Sequence, residues 1–128
     1  MPETRLHELR DPEARLAVIE AVSALFKRWE LHPVNQAALL GVADMTDLKD
    51  ARLLSDGSSV FKCIGHLLAI DRALLKHFPY QATTRDRWVW QELAQLHGET
   101  PMAFMLQEGL EGIKQIRQIR QIRQMLES

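Results

Sequence analysis

The chain has 128 residues, 46% of them hydrophobic, enough for one domain or for two small lobes that share a core. A total of 16 Lys and Arg against 17 Asp and Glu leaves a formal net charge of −1, which argues against a non-specific polyanion binder but leaves room for one basic face. The single cysteine, Cys63, excludes an internal disulfide and a cysteine-based zinc cluster and fits a reducing compartment. The charged stretch from Met1 to Arg10 lacks the apolar core of a signal peptide, and no apolar run approaches bilayer-spanning length, so a soluble cytoplasmic protein without a membrane segment is expected.

Asp11-Pro12-Glu13 opens the first predicted helix, with Asp as cap and Pro at the first helical position. Leu16, Ile19, Val22, Phe26 and Trp29 follow at spacings of three and four and line one face, widened by Val18 and Leu25. Glu13, Glu20, Lys27 and Arg28 take the opposite face, and Trp29 reads as a core anchor. His32-Pro33 stops this helix and opens a short one from Val34 to Leu40, closed by Gly41, because glycine tolerates the left-handed backbone past a helix end. Asp44 or Thr46 caps a third helix reaching about Leu54. Short helix, glycine turn and short helix is the spacing of a helix-turn-helix. Its candidate DNA-binding residues are Thr46, Lys49 and Arg52. Asp44, Asp47 and Asp50 on or beside the same helix would repel phosphates, so the charge supply for DNA is meagre.

Ser55-Asp56-Gly57-Ser58-Ser59 is a linker by composition and divides an N-terminal lobe, 1–57, from a C-terminal lobe, 58–128. The helix predicted from Val60 to His77 buries Ile64, Leu67, Leu68, Leu74, Leu75 and Phe78, with Ile70 at the edge of that stripe. Gly65 inside it costs about 1 kcal/mol relative to alanine, which points to a close helix crossing. Cys63 reads as a small core residue. Thr83 or Thr84 starts the next helix, with Asp86 near its positive end and Trp88, Leu93 and Leu96 facing inward. Trp90 points to a different side from Trp88, and either packs on a neighbouring helix or serves a partner as an exposed aromatic anchor. After the turn at His97-Gly98-Glu99, Thr100-Pro101 starts a helix through Met102-Ala103-Phe104-Met105-Leu106. Gly109 and Gly112 bracket Leu110-Glu111 before the closing segment.

That segment carries the repeat Gln115-Ile116-Arg117, Gln118-Ile119-Arg120, Gln121-Ile122-Arg123. A step of three residues falls about 60° short of a full helical turn. Ile113, Ile116, Ile119 and Ile122 therefore wind around half the helix, and Arg117, Arg120 and Arg123 wind in parallel as a basic spiral. One flat core face cannot bury all four isoleucines. Either the helix wraps across two surfaces, or its outer part meets another protein; replication slippage of a short repeat, which leaves a frayed cationic tail, is the plainer alternative. Enzymatic readings fare poorly: His7, His32, His66, His77 and His97 show no metal-ligand spacing, and there is no phosphate loop or nucleophile elbow. Glu108 and Glu111 share a face at spacing three, which a solvated helix start explains. No catalytic residue, metal site or cofactor is expected.

Trp88, a short spacer, Gly98-Glu99-Thr100-Pro101-Met102, an apolar turn and Glu108-Gly109-Leu110-Glu111-Gly112-Ile113 together resemble the toxin-binding region of Xre/MbcA/ParS-type antitoxins. The stretch from Asn35 to Val42 resembles the first helix-turn-helix helix of Xre-type domains, and Leu67 to Pro79 resembles the helix that precedes the Trp-containing segment. The resemblance implies an all-α, small multi-helix bundle with a helix-turn-helix-like N-terminal lobe and a toxin-binding C-terminal lobe. It implies a homodimer that occludes a RES-domain, NAD-degrading toxin and represses its own operon by binding operator DNA. Carried over, the toxin-facing candidates are Trp88, Gly98, Pro101, Met102 and Gly109, then the final helix with Arg117, Arg120 and Arg123. Alternative readings are a helix-turn-helix regulator without a toxin and a self-associating helical dimer.

Overall fold

A computed structural model of the chain describes residues 12–42 and 59–127, and among these every regular element is helical. The elements are α1 (Pro12–Arg28), α2 (Pro33–Leu40), α3 (Ser59–His77), α4 (Ala82–Arg87), α5 (Pro101–Glu108) and α6 (Leu110–Glu127), with single 3₁₀ turns at Trp88–Trp90 and Ala94–Leu96. The all-α small bundle expected from the sequence is what forms. The helix predicted to end near Leu54, with Thr46, Lys49 and Arg52, lies outside the described residues.

One hydrophobic core joins residues from both sides of the 55–59 linker: Val22, Phe26 and Trp29 of the α1 end, Leu39 and Leu40 of α2, Ile64, Leu67 and Leu74 of α3, and Ile113 and Ile116 of α6. α3 packs on α1, α2, α4 and α6, so it is the central post of the bundle. Fully burying side chains of this size stabilises by about 1.5–3 kcal/mol each. Trp29 is an anchor as read from the sequence, buried and tilted against Phe26 with ring centroids 6.5 Å apart. Cys63 is likewise a buried free thiol, and burial pushes its pKa up.

The ends of α2 follow the chemistry of its flanking residues. His32 caps it, with Nδ1 accepting from the Val34 N–H at 3.2 Å, Pro33 takes the first position, and Gly41 closes it at φ 73°. Three details of the periodic readings need correction. Leu16 and Leu75, assigned to buried stripes, are 42% and 48% exposed, whereas Ile70, placed at an edge, is fully buried. The stripe of α3 is therefore rotated towards Ile70, because neighbours pack on more than one of its sides. Gly65 does not mark a close crossing: a Cβ built there meets nothing within 4 Å.

The crowded glycine is Gly112. It does not bracket a break but lies inside α6, where an added Cβ would sit 2.7 Å from Glu108 Cβ and 3.1 Å from the Phe104 carbonyl oxygen. The break itself falls at Gly109 alone, with φ 66° and ψ −142°, a conformation open essentially to glycine.

Candidate partner-binding surface

The Trp88-to-Gly112 stretch is built differently from the helix predicted for its first part. α4 starts at Ala82, ahead of Thr83, without a side-chain cap, and ends at Arg87, so Asp86 lies in its last turn rather than near its positive end. The chain then makes the 3₁₀ turn Trp88–Trp90, extends through Gln91 and Leu93, and makes a second 3₁₀ turn. This path still delivers Trp88, Leu93 and Leu96 to the core, as the inward-facing set requires. Backbone bonds close the 93–99 loop: Leu93 N–H donates to the Glu99 carbonyl, and Gly98 N–H to that of Leu93, both at 3.0 Å. His97 at φ 57° and Gly98 at φ 89° supply the left-handed reversal. Thr100 Oγ1 then accepts from Ala103 N–H at 3.0 Å and Pro101 occupies the first position of α5, as expected.

Of the toxin-facing candidates, Trp88, Pro101 and Met102 are buried, so in the free chain they shape the α5 platform and offer no surface. Gly98 is exposed at the loop tip, and Gly109 is half-buried at the α5–α6 corner. Trp90 is 42% exposed, and its indole N–H donates to the Trp29 carbonyl at 2.9 Å, so it both ties the loop to the end of α1 and shows a ring edge to solvent. The side chains of Arg120 and Arg123 lie outside the described residues, although the backbone of α6 is helical through Glu127.

Arg117 is half-buried, and its guanidinium stands 3.0 Å from His66 Nδ1 on α3. Arginine only donates, so Nδ1 accepts and the proton of the neutral ring sits on Nε2. Burial, then the charges of Arg117 and Lys114, hold the His66 pKa below the ordinary histidine value, and Glu111 opposes them. Sequence spacing carries no sign of this pair, because 51 residues separate its members. The same holds for Arg28, read as a solvated-face residue. Its guanidinium forks onto Asp71 at 2.8 and 3.2 Å and reaches Asp86 at 3.3 Å, linking α1, α3 and α4. The hydrogen bonds it donates to the Asp71 carboxylate raise its pKa further above an already high value.

Between α1 and α3 lies an open groove of about 630 Å³ with an apolar floor that includes Ala17, Val18, Phe61 and Ala69. Lys62, Arg72 and Arg117 stand around it. Among the described residues no group of three His, Cys, Asp or Glu is placed to hold a metal, and no helix is long and apolar enough to cross a membrane. No protein-family model matches the chain, and no curated protein matches it.

Proposed function

We propose that the chain is an antitoxin-type binding protein whose last helix covers the cleft of a RES-domain, NAD-degrading toxin. The observation that supports this is the unbroken course of α6 from Leu110 to Glu127. Ile113 and Ile116 fix its first half in the core. Helical geometry carries positions 119 and 122 about 120° and 180° around the axis from Ile113, off the face that the core occupies. A helix whose sequence steps isoleucines and arginines around its axis in this way has the makeup of a helix that a partner receives in a groove. Occlusion of a cleft requires complementary surface and no chemistry of the occluding helix. Homodimerisation and operator binding, which the resemblance also implies, belong to the same proposal, as does a cytoplasmic site of action, where NAD is the toxin's substrate.

The test is co-expression with RES-domain proteins of the same genome, followed by co-purification, with a chain truncated after Gln118 as control. That truncation keeps Ile113, Ile116 and the Arg117–His66 contact and removes only the outer part of α6. Capture by the full chain and loss on truncation is the expected result. No capture, or capture unaffected by truncation, would sink the assignment.

A further inference from the structure

Gly65 sits in the middle of α3, where glycine costs about 1 kcal/mol relative to alanine. Its backbone needs no positive φ, and a Cβ there would touch nothing within 4 Å. Neither conformation nor internal packing accounts for it. What its missing side chain does is deepen the groove between α1 and α3, which Gly65 lines together with Ala69 one turn away. Ala14 and Ala17 face the same space from α1. The floor is thus low enough for a backbone, and not only side-chain tips, to come close.

Among the described residues that line this floor, the charged side chains, Lys62, Arg72 and Arg117, are all cationic. Lys62 and Arg72 are separated by about 15 Å along α3, from ten residues at the helical rise, and Arg117 stands between α3 and α6. Among the described residues, ion pairs engage Arg28, Arg85 and Lys114, and none engages Lys62, Arg72 or Arg117. Three separated cations suit several carboxylates spaced along a segment, whereas a single anionic headgroup would meet one of them. From this shape and charge we infer that the groove receives an acidic amphipathic helix of a partner protein, apolar face down on Val18, Gly65 and Ala69, with carboxylates towards Lys62, Arg72 and Arg117. The inference concerns the α1–α3 face and not the outer part of α6, shares only Arg117 with the toxin-facing candidates, and is tested at Gly65, Lys62 and Arg72, which the toxin assignment does not use.

The test uses the full-length chain and a displayed library of helix-forming 15-residue peptides. Selected peptides are then measured against Gly65→Leu, which projects a side chain into the groove from a Cβ position with nothing within 4 Å, and against the double charge reversal Lys62→Glu with Arg72→Glu. Thermal melts of both variants establish that they fold. The expected result is enrichment of acidic amphipathic peptides whose binding weakens by about tenfold or more in each variant. Lack of enrichment, enrichment of basic or uncharged peptides, or binding unchanged by Gly65→Leu would overturn the proposal. A groove already covered by the chain's own residues would show as lack of enrichment and would overturn it equally.

Discussion

A methyl group added at Gly112 would lie 2.7 Å from Glu108 Cβ and 3.1 Å from a main-chain oxygen, and the oxygen cannot swing away as a side-chain tip would. Gly112→Ala should therefore lose about 1–3 kcal/mol to overpacking, more than the ~1 kcal/mol that alanine gains in helix propensity. Gly65→Ala meets open space and should be neutral or stabilising by up to about 1 kcal/mol. Urea denaturation of the two variants separates these cases, and equal midpoints would contradict the packing described for the α5–α6 corner. His66 makes a second prediction at this scale. Its pKa in the folded chain lies below the ordinary value, so as pH falls the unfolded chain takes up the proton first. Stability is complete above the unfolded-state value of about 6.5 and declines as pH drops from there towards the lowered folded value. His66→Gln should flatten the pH dependence between 7 and 5, and a slope equal to that of the parent would show that this histidine carries none of it.

At the scale of the element, the stretch after Arg87 shows what periodicity can and cannot convey. Trp88, Leu93 and Leu96 are legible as inward-facing because they are large and apolar, and a large apolar side chain finds the core by whatever backbone path serves. The path itself, a 3₁₀ turn, an extended step and a second 3₁₀ turn, was not legible, since the bonds that fix it join Leu93 to Glu99 and Trp90 to Trp29. Helix ends set by neighbouring residues were readable: Pro33 and Gly41 of α2, Thr100 and Pro101 of α5. Trp90→Phe keeps the ring and removes the donor to the Trp29 carbonyl. It should cost about 0.5–1.5 kcal/mol and speed amide exchange in the last turn of α1. Unchanged exchange there would mean that the bond does not hold the loop to α1.

Across the whole molecule, side chains of α1 and α2 on one side of the 55–59 segment and of α3 and α6 on the other share one core, the arrangement in which two small lobes are joined through their interior. Arg28 adds a polar tie among α1, α3 and α4 that no local pattern announces. A chain ending at Gln118 keeps all of these and should melt cooperatively, within a few degrees of the full chain; circular dichroism checks this. A collapse of the melt would show the outer part of α6 to be structural and would weaken the proposal that it serves a partner. The proposal meets its most direct test in the rate of NAD hydrolysis by a co-expressed RES-domain protein, measured with increasing full-length chain and with the chain ending at Gln118. The account predicts that hydrolysis falls to background near one equivalent of the full chain and stays uninhibited with the shortened one. Hydrolysis unaffected by the full chain, or suppressed equally by both, would contradict it.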